Sequence, residues 1–172
     1  MDEVDLAAVL LRLTLGGTMI AHGWNHAFGG GGLPGTARWF ESIGIRPGRL
    51  HALLATMTEV GAGVMLLLGL GNALAAAGVV GVMLVALVSN HLKNGFFIFR
   101  PGEGYEYVLM ITISALALAA LGPGRISLDH VLGIHLDGPA GLALTALAGG
   151  VGAGVLLGLC WRPGRPTDAT ST

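Results

Sequence analysis

Two histidines four residues apart, His22 and His26, sit near the end of a long apolar stretch, and Glu59, His91 and Glu106 lie in or against other such stretches. Residues i and i+4 share one face of a helix, so the two imidazoles can converge on one ligand. Ionisable groups among Leu, Val, Ala, Gly and Ile are costly in lipid-spanning helices, which makes them functional candidates by default. Imidazoles and carboxylates in such a setting can relay protons and hold hydrogen-bonding ligands. His22 and His26 with Glu59 or Glu106 would be chemically suitable for zinc or iron, but the spacing alone is weakly specific. A haem between His22 and His91 is also disfavoured, since the usual two-haem arrangement uses more deep histidines. No metal or haem is predicted. A quinone or another redox-active small molecule suits the residues better. It needs a hydrogen-bond donor at each carbonyl, a proton-relaying carboxylate or His, and an apolar slot. His51, His130 and His135 fall at loop borders, where solvent accounts for them.

The elements that must position these groups follow from composition. Hydrophobic residues make up 53% of the 172 and charged ones 11%, far below the roughly 25% charged of a soluble domain. This predicts an all-α integral membrane protein. Five apolar runs, 4–28, 51–70, 73–90, 105–121 and 139–161, are each near the length of a membrane-crossing helix. The connector after the first run opens with four glycines, Gly29 to Gly32, which form a flexible joint because no Gly-Lys-Ser/Thr follows them. The segment 36–43 beyond it reads as a short interfacial amphipathic helix. Gly69-Leu70-Gly71-Asn72 predicts a tight turn between antiparallel spans two and three. Residues 162–172, rich in Pro, Thr and Ser, read as a disordered tail.

Arg38, Arg46, Arg49, Lys93, Arg100, Arg162 and Arg165 fall on one side of this topology and only Arg125 on the other. The positive-inside rule then predicts a multi-pass protein of the cell inner (plasma) membrane with its N-terminus outside and its C-terminus cytoplasmic. The acidic start and the interruption by Arg12 do not resemble a cleavable signal, so the first span is expected to stay. A formal charge of -1 gives no sign of a nucleic-acid partner. Cys160, the single cysteine, cannot form an internal disulfide and reads as a lipid-facing or packing thiol.

Counting depth along each run places His22, His26, Glu59, His91, Glu103 and Glu106 in one membrane half, with Glu59 roughly 12 Å deep. Arg12 stands in the other half, and its counted depth brings it within reach of Glu59. An interhelical Arg12–Glu59 ion pair is therefore expected, since an unpaired charge at such depth costs about 2.5 kcal/mol or more. In the last run Gly150, Gly154 and Gly158 recur every four residues. The stripe suits either packing within the bundle or a homodimer face.

The motifs Arg12-Leu13-x-Leu15-Gly16, Ile20-x-His22-Gly23, Glu59-Val60-Gly61, His91-x-x-Asn94-Gly95-Phe96-Phe97, Gly104-Tyr105-Glu106-Tyr107 and Gly122-Pro123-Gly124-Arg125-Ile126-Ser127-Leu128-Asp129 occur in order. With this series the chain resembles the DoxX family over about residues 11–129. The resemblance implies a four-helix transmembrane bundle tied to oxidoreductase systems that handle thiols, thiosulfate or quinones. It maps onto Arg12, His22, Gly23, Glu59, His91, Asn94, Gly95, Tyr105, Glu106, Gly124, Arg125 and Asp129. One departure is His26, where the family commonly has Lys, a change that removes a fixed positive charge. The last run lies beyond the family core, so residues 1–138 read as the DoxX-like core and 139–161 as an added C-terminal transmembrane helix.

Together these readings predict a DoxX-like membrane subunit of a redox system, with a quinone or a small sulfur or thiol compound bound in a cytoplasmic-side pocket between spans one to four. Glu59, His22 and Glu106 are the expected catalytic groups, and Arg12, His22, His91 and Tyr105 the expected binding groups. Electrons would come from a partner, such as a soluble oxidoreductase, or from the quinone itself, because no nucleophilic Cys or recognised cofactor motif is present. The rival expectation is a non-catalytic membrane scaffold that anchors a soluble oxidoreductase. A small-solute transporter is disfavoured by the absence of an apparent inverted repeat.

Overall fold

The computed structural model describes residues 2–164. Helix α1 (Glu3–Phe28) is followed by a short α2 (Gly32–Ser42), and α3 (Gly48–Leu68) turns directly into α4 (Asn72–Ala86). Beyond α4 the chain continues as one π-helical turn, Leu87–His91, and a 3-10 turn, Leu92–Asn94. Then come α5 (Glu106–Leu121), the short α6 (Leu128–Leu132) and α7 (Gly138–Cys160). Among the described residues there is no strand, only an isolated bridge between Ile45 and Trp161. The expected tail coincides with described residues only to Gly164; the remainder lies outside them.

Four helices are long and apolar enough to cross a membrane: α1, α3, α4 with its continuation to Asn94, and α7. The fifth apolar helix, α5, has 16 residues, about 24 Å at 1.5 Å per residue against a hydrocarbon core of about 30 Å. It is preceded by exposed Phe96, Phe97, Ile98 and Phe99. The expected amphipathic segment is α2, which folds back onto α3 with Phe40 buried and Trp39 exposed.

Small residues set the helix spacing. A Cβ on Gly63 would lie 2.7 Å from Ile20 Cγ1 and 2.8 Å from the Gly16 carbonyl oxygen, so α1 and α3 meet backbone to backbone. Helix α7 packs through a face of Gly141, Thr145, Gly149 and Ala153, and Thr145 Oγ1 donates to the Ala73 carbonyl at 2.8 Å. Of the two readings of the glycine stripe, packing within the bundle is therefore not realised. A Cβ at Gly150, Gly154 or Gly158 would meet nothing within 4 Å.

The bundle end that holds Arg12 is closed by charge. Arg12 donates to the carbonyls of Leu66 (2.8 Å), Leu67 (2.8 Å), Pro123 (2.9 Å) and Ile126. The expected Arg12–Glu59 pair does not form. The guanidinium instead satisfies carbonyls left open at the C-terminus of α3, where the helix dipole is negative. Asp129 does the converse for α4, accepting from the backbone N–H of Gly71 (2.7 Å) and Asn72 (2.9 Å). Arg125 pairs with Asp5 at 2.8 Å and Asp2 at 2.9 Å, and the Asp5 hydrogen bond, reinforced by both carboxylate charges, raises the Arg125 pKa.

Gly63→Val is expected to cost about 1–3 kcal/mol by overpacking the α1–α3 contact, whereas Gly150→Ala leaves stability unchanged. Thermal melts of the purified protein by circular dichroism check both. In the same assay Arg12→Met, which strips charged hydrogen bonds worth about 1.5–3 kcal/mol each from buried carbonyls, is expected to lower the midpoint further than Gly63→Val.

Candidate ligand cavity

Toward the opposite end, α1, α2, α3, α4, the π turn, α5 and α7 together surround a cavity of about 420 Å³. Its polar lining includes His22, His26, His51, Glu59, His91 and Tyr107, and most of the remaining wall is apolar. The volume lies within the range of small-molecule sites.

Glu59 is 2% exposed. Its Oε2 stands 3.0 Å from His26 Nδ1, close enough for an ion pair with a protonated imidazole but without hydrogen-bond alignment. Both atoms consequently have no hydrogen-bond partner among the described residues, and the same holds for both ring nitrogens of buried His51. Buried polar atoms in native proteins are nearly always satisfied, so these four, two of which face each other, set this end of the cavity apart.

Tyr107 stands between two imidazoles, edge-to-face with His22 at 6.0 Å and with His91 at 5.9 Å. His91 is aimed by the backbone. The π turn gives an extra residue of rotation, and His91 Nδ1 lies 2.9 Å from the Glu103 carbonyl. A carbonyl only accepts, so Nδ1 carries a proton, and in the neutral ring Nε2 is an acceptor. Glu103 itself has a left-handed φ of 62°, uncommon for a residue with a side chain. Its carbonyl also receives the Asn94 amide at 3.1 Å.

The cavity thus brings together His22, His26, Glu59 and His91 from the sequence candidates. Arg12, Tyr105 and Glu106 do not line it. Arg12 is committed to the far end of the bundle. Tyr105 packs edge-to-face on Phe96 at 5.5 Å, and Glu106 accepts from the Ile98 backbone N–H at 3.1 Å. Two residues further on, about 200° around the helix, Tyr107 faces the cavity instead. His51 is the other group missed. Helix α3 begins at Gly48, so His51 and Glu59, eight residues apart, occupy one face. The i, i+4, i+8 series His51, Ala55, Glu59 was the available signal. Among the described residues no three His, Cys, Asp or Glu side chains are grouped to hold a metal ion.

Four helices long and apolar enough to cross a membrane, packed around a cavity with a largely apolar wall and a polar end, mark a helical, multi-pass membrane protein. The sequence model of the DoxX family matches residues 7–92, and the chain belongs to that family. The match runs from α1 to the first residue of the 3-10 turn, so the resembling motifs from Asn94 to Asp129 lie beyond it. No curated protein and no solved structure gives a significant match.

Long-range proton–nitrogen correlation spectra of histidine-labelled protein at a pH above the imidazole range are expected to show His91 as the Nδ1–H tautomer. A population of the Nε2–H form would contradict the Glu103 contact.

Proposed function

We propose that this DoxX-family protein is a membrane subunit of a redox system that binds a quinone, or a small sulfur or thiol compound, at the His22–Glu59 end of the bundle. What carries this reading is the set of open buried polar atoms, Glu59 Oε2, His26 Nδ1 and both His51 ring nitrogens, around one otherwise apolar cavity. A quinone head presents two carbonyl acceptors, which imidazole N–H groups and the Tyr107 hydroxyl can meet. Once reduced it presents hydroxyl donors, which Glu59 and His91 Nε2 can accept. Glu59 and His26, in contact with each other, are the pair suited to pass a proton to or from the bound head. Electrons come from a partner such as a soluble oxidoreductase, since the cavity has no thiol lining it. In this reading α5 crosses the membrane as well, giving five spans. The basic residues of the loops at that end support a cavity on the cytoplasmic side of the plasma membrane and an N-terminus outside.

Trp39 lines the cavity, so quenching of its fluorescence by a substituted benzoquinone reads binding directly, with Trp39→Phe as the background. Saturable quenching is expected, weakened about tenfold by Glu59→Gln through loss of one charged hydrogen bond. Wild-type protein that shows no saturable binding of either a quinone or a small thiol would end the proposal.

A further inference from the structure

The cavity does not stop at its polar end. The same continuous lining runs along α4 through Val85, Val82, Gly81, Gly78 and Ala77 as far as Leu74. From Val85 to Leu74 this is about 16 Å of helix at 1.5 Å per residue. Helices α3 and α7 each pack on α4 and form the two walls, α3 through Leu54, Ala55 and Thr58 and α7 through Ala148, Gly152 and Leu156. Leu54, Leu74, Ala148 and Gly152 are exposed on the outer surface of the bundle. A Cβ at Gly152 would meet nothing within 4 Å.

From this continuity we infer that the ligand is an amphiphile with a linear apolar tail, which lies along α4 between α3 and α7 and reaches the site sideways from the bilayer. The inference rests on the proposed head-group site and narrows its ligand to a long-chain quinone rather than a small, water-soluble sulfur compound. Three observations converge on it. The groove is apolar, its inner end holds the buried polar side chains of Glu59 and His51, and its rim residues are exposed on the bundle surface. A tail moving from lipid to the groove gains little from the hydrophobic effect, because lipid is equally apolar. What it gains is close packing against a fixed wall. Its function is then to fix the direction in which the head enters.

The test uses the full chain in lipid nanodiscs and two probes, a benzoquinone bearing a decyl chain and the same ring without it, each read by Trp39 quenching. Gly152→Leu fills the groove, and Ala148→Leu fills it from a second position on the same wall. Both variants are expected to weaken binding of the decyl probe about tenfold or more and to leave the bare ring within about twofold. Matching thermal midpoints show that the fold is kept. If the variants weaken both probes equally or neither, the tail does not use the groove and the inference is overturned. If the bare ring and the decyl probe both fail to bind wild-type protein, the head-group site falls and the inference with it. If the bare ring binds as tightly as the decyl probe, only the inference falls.

Discussion

A single buried guanidinium sets the terms for the rest of the molecule. Arg12 gathers carbonyls from the end of α3 and from the 123–126 connector, so one side chain of α1 closes the last turn of one helix and the loop that follows another. Its neighbour Asp129 supplies the opposite charge to the start of α4. Carbonyls at a helix end and N–H groups at a helix start are the backbone atoms that apolar surroundings leave unsatisfied. Here one cation and one anion satisfy both, and the α3–α4 turn is locked between them.

That closure gives the bundle two unlike ends. At the Arg12 end Arg12 and Asp129 have partners in the backbone, and Arg125 pairs with Asp2 and Asp5. At the other end α1 and α3 are still held at glycine distance, with Gly23 against Val60 and Thr56. The polar side chains beyond that contact, however, line a cavity and leave several buried atoms without a hydrogen bond. A protein interior tolerates open hydrogen-bonding atoms only where something else satisfies them. The asymmetry separates what holds the fold from what is available to a ligand.

The sequence revealed the architecture more readily than the site. Apolar run lengths located the long helices to within a few residues, and Gly69-Leu70-Gly71-Asn72 located the hairpin, because both depend on local composition. That His22, Glu59 and His91 meet at one end of the bundle was equally legible, since position along a helix is simply residue count multiplied by rise. Partner choice was not. Arg12 and Glu59 looked like an ion pair because charge seeks charge, whereas a guanidinium that reaches a helix end can be satisfied by carbonyls alone. Tyr105 was selected from the resembling motif, whereas which of Tyr105 and Tyr107 faces the cavity depends on where α5 begins. His51 was set aside because three residues of helix before it, from Gly48, were not expected.

The C-terminal helix is also bound to the opening connector. Trp161 Nε1 donates to the Ile43 carbonyl at 3.0 Å, the Arg46 N–H to the Cys160 carbonyl at 2.9 Å, and the Arg162 N–H to the Gly44 carbonyl at 2.6 Å. These bonds join the segment that ends α2 to the segment that ends α7. One carries Trp39 and Phe40 at the cavity's edge, and the other carries its α7 wall. The two parts are therefore tied to each other, so the α2 edge and the α7 wall of the cavity share one set of backbone anchors. His22, His26, His51, Glu59 and His91 come from the stretch that the family model matches, while Tyr107 and the α7 wall of the enclosure lie outside it.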